Sequence, residues 1–328
     1  MLKQHRFNLQ RRSPHLNLNQ RAWAVAQAII DQPEQFQAAV HESDCGAQIV
    51  DLGVEAIGGQ AAGLKMAEVC LAGLGEARFV PGSLAELPDA VQVTTNQPMI
   101  ACMASQYAGW RIVEGDFFAM ASGPMRASAG KEPLIAELEL AETADVAVGV
   151  METAQLPPDQ ACLKIAEQCG VAPNQLRLLV ARTASVAGHV QIVARSVETA
   201  LHKLHELHFD LRKIKRGAGV APLPPLSKND VQGIGRTNDA ILFGGQVTLW
   251  VDAEDDEIAQ VGKQLPSSSS PAYGTPFEKI LRDAKFDFYQ IDPMLFSPAQ
   301  VTLINVRNNA AQTFGETSEK LLRESFEL

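Results

Sequence analysis

The run IVARSVETALHKLHELH, from Ile192 to His208, spaces Arg195, Glu198, His202 and His205 three or four residues apart. That spacing gathers side chains on one face of an α-helix. A carboxylate near a guanidinium, if sheltered from water, is equipped to move protons in acid–base catalysis. Glutamate with two histidines is also a set of metal-ligand types, so a metal-dependent hydrolase using Glu198, His202 and His205 is a second reading. The Glu-x-x-x-His-x-x-His order lacks the HExxH spacing, however, and no Cys or Asp cluster completes it. A third reading is noncatalytic: the charged stripe faces water or a neighbouring subunit, and the chain is a scaffold or binding module. On the same wheel Val193, Val197, Ala200, Leu201, Leu204 and Leu207 form a continuous apolar face that must be buried. Function therefore turns on whether the opposite face meets a cleft or open solvent.

The elements that must position this stripe alternate between strand and helix. A helix is predicted from Asn17 to near Pro33, where proline stops it. Ala47–Leu52 reads as a strand, Gly58, Gly59 and Gly63 as a small-residue bend, and Leu64–Leu74 as an apolar helix closed by Gly75. Val91–Thr95 is β-rich, Met99–Ala108 is a buried helix, and Ser122-Gly123-Pro124 is a tight loop followed by Arg126. Helix Gln160–Cys169 ends at Gly170, strand Leu176–Ala181 follows, and Thr183 and Ser185 lie in the link to the central helix. Hydroxyls at a strand's carboxyl end suit either a ligand site or a helix cap.

Beyond the central helix, Lys213, Lys215 and Arg216 make a small basic group before the Pro-rich GAGVAPLPPLSKND, which reads as a connection between domains. The next stretch, GIGRTNDAILFGGQVTLWVD, reads as a polar loop at Arg236, Thr237, Asn238 and Asp239, then a strand to Phe243, a Gly-Gly turn and a second strand to Val251. Phe277–Lys285 reads as a helix, Gln300–Val306 as the last strand, and the tail from Thr317 as an exposed helix. The expected class is α/β, with mixed α+β possible: two α/β domains with the site between them, divided at about 1–221 and 222–328 and open to a division discontinuous in sequence.

Composition removes several function classes. The 328 residues are 46% hydrophobic and 20% charged, ordinary for a globular protein with ample core. Thirty-eight acidic against twenty-eight basic side chains leave a formal charge of −10, a field that disfavours nucleic acid and suits a cationic small molecule. Five cysteines without a CxxC pair suggest reduced core thiols in the cytoplasm. The opening MLKQHRFNLQRRSPHLNLNQ has no apolar run for a signal peptide or membrane span, and Asn, Gln and Pro interrupt any amphipathic presequence.

Four segments together resemble methenyltetrahydromethanopterin cyclohydrolase: IVDLGVEAIGGQAAGLKMAEVCLAGLG, SGPMRA, SVAGHVQIVARSVETALHKLHEL and GIGRTNDAILFGG. They span about Asp44 to Gly245. The resemblance implies an enzyme of one-carbon metabolism that adds water to the cationic bridge of methenyl-tetrahydromethanopterin, giving the N5-formyl pterin. It also implies two α/β domains with the pterin between them, a homotrimer, and no metal or separate cofactor. The family's catalytic glutamate, with an arginine three residues before it, falls on Glu198 and Arg195. Gly58, Gly59, Ser122, Gly123, Arg126, Thr183, Ser185, Arg236, Asn238 and Asp239 are the candidate substrate contacts, being polar or close-approach positions within the resembling segments. Met125 and Arg182 depart from the family pattern and bear on the shape of the pocket.

Overall fold

The computed structural model describes residues 16–328. The part of the basic opening over residues 1–15 lies outside them. The strands are, in chain order, β1 (Ala39–Glu42), β2 (Gln48–Asp51), β3 (Gly75–Leu84), β4 (Leu87–Thr95), β5 (Trp110–Glu114), β6 (Phe117–Ser122), β7 (Ala147–Thr153), β8 (Leu176–Ala181), β9 (Ile214–Pro222), β10 (Gln246–Val251), β11 (Gln300–Asn305) and β12 (Ala311–Gly315). The helices are α1 (Leu18–Asp31), α2 (Gln60–Cys70), α3 (Met125–Ala129), α4 (Pro133–Glu137), α5 (Asp159–Cys169), α6 (Val186–Val193), α7 (Ser196–Glu206), α8 (Asp230–Gly244), α9 (Asp255–Gly262), α10 (Phe277–Asp283) and α11 (Glu319–Phe326). A π-helix spans Met99–Gln106.

Two six-stranded mixed sheets result, in the orders β1-β2-β8-β7-β6-β5 and β12-β11-β10-β9-β4-β3. In the first, β2, β8 and β7 are parallel, and β7-α5-β8 is a crossover unit. Its strands read as near-continuous apolar runs because both faces are covered: Ala161, Cys162 and Ile165 of α5 pack on one side, and Ala22, Ala26, Met66 and Ala187 of α1, α2 and α6 on the other. The second sheet shares one large core with α7, α8, α10 and α11. No helix among the described residues is long and apolar enough to cross a membrane.

Three expectations fail for physical reasons. GAGVAPLPPLSKND does not open as a linker: its first residues belong to β9, paired to β4 and β10 in the middle of the second sheet. Gly217 and Gly219 weaken its strand signature, yet they are what let α7 lie close on that sheet. A Cβ at Gly217 would meet Val197 Cγ1 at 2.7 Å, and one at Gly219 would meet Ser196 Oγ at 2.3 Å. β3 and β4 precede Pro222 and β10, β11 and β12 follow it, so that point does not part the sheets.

Likewise 230–244 is one helix, α8, where a polar loop and hairpin strand were expected. Asn229 caps it by accepting from Gln232 N at 3.0 Å. Gly233 and Gly235 are close-approach sites: a Cβ would lie 3.2 Å from the Thr183–Ala184 backbone and 2.7 Å from Glu278 Cβ. The third failure is the central helix, which is broken at Ala194–Arg195 into α6 and α7. The C-terminal helix α11 is only partly exposed, burying Leu322 and Phe326.

Candidate active site

The break between α6 and α7 is where the catalytic candidates stand. Ser185 starts α6 by accepting from Gly188 N at 3.0 Å. At its other end the Ala194 carbonyl leaves the helical ladder and is taken by Gln106 Nε2 at 3.1 Å, a side chain inserted from the π-helix. Arg195, with φ −91° and ψ 8°, then precedes α7. Its guanidinium is held on several sides. Nη1 donates to Gln106 O, and Nη2 donates to Ser122 Oγ and Gln191 Oε1, each at 3.1 Å. Of the buried side-chain polar atoms without a partner among the described residues, Gln106 Oε1, Arg195 Nε and Ser196 Oγ all cluster in sequence or contact at this junction. Buried polar groups without a partner are rare in folded proteins, and three of them fall at this junction.

Glu198, in the first turn of α7, is 5% exposed and Arg195 6%. Both line a cavity of about 1190 Å³, together with His202 and His205. The charged stripe therefore faces a cavity. Strand ends of the first sheet (Glu152, Thr153), α8 (Ile234, Asn238) and the stretch around α10 (Leu281, Phe288, Tyr289) complete the walls. No side chain among the described residues hydrogen-bonds the Glu198 carboxyl, and burial pushes it up to about 7 against the pull of Arg195 and Arg126. A carboxyl balanced between its forms near neutrality can both take and return a proton.

Arg195 does not clamp Glu198. It lies against a different carboxylate, Glu152 Oε1, at 3.7 Å from Nη2. Glu152 sits at the carboxyl end of β7 and accepts from Gln191 Nε2 at 3.0 Å and Thr183 Oγ1 at 3.4 Å. Sequence reasoning missed it; the signal was its place in AVGVMET, a charged residue at the carboxyl end of a strand parallel to its neighbour β8, where α/β sheets put their sites. Tyr107 was missed too. Its ring stacks on His202 at 5.3 Å, and burial drives its hydroxyl to about 12.

Of the remaining candidates, Thr183 and Asn238 line the cavity, and the others do not. Gly58, at φ +63°, is a structural turn: a Cβ would lie 1.8 Å from Leu52 O. Gly59 precedes α2 as its cap. Ser122 acts at one remove, through Arg195, and Gly123 donates to Ser105 O at 2.7 Å. Arg126 is 1% exposed and bound to Glu132 by two hydrogen bonds of 2.7 and 2.5 Å. Ser185 is a cap. Arg236 donates to Leu226 O and Glu327 Oε2, while Asp239 accepts from Phe277 N and the Ser325 hydroxyl, with burial pushing its carboxyl up to about 7. The shared cause is that α8 is a helix, so consecutive polar residues of the expected loop point in different directions. The two departures from the family pattern sit off the chemistry: Met125 is buried against Gly149, and Arg182 pairs with Asp230 at 2.7 Å on an exposed edge.

The metal arrangement does not form. Among the described residues no group of three or more His, Cys, Asp or Glu side chains converges as a metal ion would require. His202 is stacked on Tyr107 and lies 3.7 Å from Glu206, and His205 lies 3.7 Å from Glu137.

A family model described as Cyclohydrolase (MCH) matches residues 17–326. Among curated relatives, a methenyltetrahydromethanopterin cyclohydrolase of Rhodopirellula baltica is 47% identical over 289 residues, covering 86% of this chain and 87% of the relative. Proteins of the same name from Methylobacillus flagellatus (42% identical; 94% of this chain and 95% of the relative) and Methanospirillum hungatei (40%; 95% and 99%) are similar over nearly the full length.

Proposed function

The chain belongs to the cyclohydrolase (MCH) family, and we propose that it adds water to N5,N10-methenyl-tetrahydromethanopterin to give the N5-formyl pterin, with Glu198 as general base. The substrate named for its relatives carries a cyclic amidinium, one carbon sharing positive charge with two nitrogens. Water adds slowly to such a carbon unless a base takes a proton as the new C–O bond forms. The observation that carries the reading is Glu198 itself: set in the cavity, its carboxyl without a hydrogen-bond partner among the described residues, and raised to about 7 by burial.

Glu198 accepts a proton from the attacking water, and the adduct is a neutral carbon bonded to OH, N5 and N10. The hydroxyl proton passes to N10 as the C–N10 bond breaks, leaving the formyl group on N5. The proton on Glu198 is then released to solvent, so cation and water become formyl pterin and one proton. Arg195, which lines the same cavity, places its positive charge beside the adding oxygen. Thr183 and Asn238 are the candidate contacts that share the cavity with the reacting groups. The chemistry calls for no metal and no separate cofactor. We further propose a homotrimer, supported by the family resemblance alone, in the cytoplasm, supported by five cysteines without a CxxC pair.

The test is the loss of methenyl-pterin absorbance with purified protein. Glu198→Gln keeps the shape and removes the base, and should lower turnover by about 10² or more; near-wild-type turnover sinks the assignment. A chelator should leave the rate unchanged. With Glu198 as base, kcat/KM should rise with pH through about 7 and then level.

A further inference from the structure

Two guanidiniums act on Glu198 through their charge: Arg195, three residues before it, and Arg126 from α3. Each already has a carboxylate of its own. Arg126 holds Glu132 with two hydrogen bonds of 2.7 and 2.5 Å. Arg195 has Glu152, 3.7 Å from Nη2, and Gln191 bridges the two by accepting from Arg195 at 3.1 Å and donating to Glu152 at 3.0 Å. Glu152's other oxygen takes the Thr183 hydroxyl at 3.4 Å. The other titratable groups coupled to Glu198 are Cys70 of α2, Cys102 of the π-helix and Tyr107 beyond it, with His202 one turn along α7. Burial raises the thiols and the phenol and lowers the imidazole, so all four are uncharged near pH 7. Two cations and two anions cancel. Glu198 is the odd carboxylate.

We propose that Glu152 is a positioning residue for the reaction: it neutralises and orients Arg195, so that the counter-ion of Glu198 is the cationic substrate and not the arginine. This rests on the general-base reading of Glu198. Without Glu152, Glu198 is the carboxylate left among those whose charge acts on Arg195. An opposite charge within about 4–6 Å lowers a carboxyl pKa by about one to three units, so an arginine freed to turn toward Glu198 would make it a weaker base and occupy the place of the amidinium.

The experiment is the pH profile of kcat/KM for hydrolysis of methenyl-tetrahydromethanopterin by the full chain, comparing wild type, Glu152→Gln, Glu152→Asp and Glu198→Gln. Glu152→Gln is expected to move the rising limb down by about one unit and to lower the plateau about tenfold. Glu152→Asp keeps the charge and should keep the limb in place. Should Glu152→Gln fail to fold, Gln191→Met cuts the bridge with both charges retained, and its limb should shift the same way by less. A limb unmoved in every folded variant, or moved upward, overturns the proposal. If Glu198→Gln has lost activity and the limb is still unmoved, only the role of Glu152 fails; if Glu198→Gln is fully active, the general-base reading fails with it.

Discussion

An uncompensated carboxyl in a cavity has a cost that can be measured apart from catalysis. Glu198 titrates near 7 in the folded chain against 4.5 for the free side chain, chiefly through burial. Because its folded pKa is raised, its ionisation is easier in the unfolded state, and stability is lost as pH rises from about 4.5 through 7. The lost amount is on the order of 3 kcal/mol once both states are ionised, from the linkage of 1.36 kcal/mol per unit. Glu198→Gln does not titrate. Its stability relative to wild type should therefore increase between pH 5 and 8, by roughly 2–3 kcal/mol, in denaturant unfolding followed at several pH values. A difference that stays flat over that window would mean that Glu198 is solvated or tightly paired, and would remove the basis for its activity as a base.

The elements that hold Arg195 and Glu198 depend on close approaches made possible by glycine. Gly63 lies in α2 against α6, where a Cβ would sit 2.6 Å from Val190 Cβ and 3.0 Å from the Ala187 backbone. Gly63→Ala gains about 1 kcal/mol of helix propensity, but overpacking against a neighbouring backbone costs about 1–3 kcal/mol. Overpacking should win, with a net loss of about 1–2 kcal/mol in chemical denaturation. Turnover should also fall, since α6 carries Gln191 and leads into Arg195. Net stabilisation would show that the α2–α6 contact is looser than its geometry. Gly219→Ala should be milder, since its nearest contact, Ser196 Oγ at 2.3 Å, can rotate away. These glycines also explain what the sequence hid. Periodicity revealed α1, α5, β8 and the buried face of α7, where one apolar stripe meets one core. It failed at β9 and α8, where Gly217, Gly219, Gly233 and Gly235 serve packing between elements and read locally as turns. The pair Arg195 and Glu198 was legible from spacing and resemblance, whereas Glu152 and Tyr107 reach the site from distant segments through the fold, which no local pattern records.

Across the whole molecule, the cavity joins walls that the chain builds separately: Glu152 and Thr153 from the first sheet, Glu198 and His202 from α7 over the second, and Phe288 and Tyr289 after α10. A ligand filling it touches all three, so binding should stiffen segments with no sequence proximity. Glu198→Gln, expected to bind the methenyl pterin without consuming it, allows the measurement by amide hydrogen exchange. At about 100 times Kd, binding to the folded state alone adds roughly 2.7 kcal/mol of stability. Protection should then appear together in 150–155, 192–206 and 284–293. The exposed aromatics give this its sharpest point: Tyr289 is 72% and Phe286 55% exposed although both line the cavity, and Lys285 and Phe286 hold positive φ of 54° and 63°, a conformation that costs about 1–3 kcal/mol where it is retained. If protection reaches the first-sheet strand end and α7 but not 284–293, the ligand occupies only the catalytic end of the cavity, and the aromatic wall belongs to something other than substrate binding.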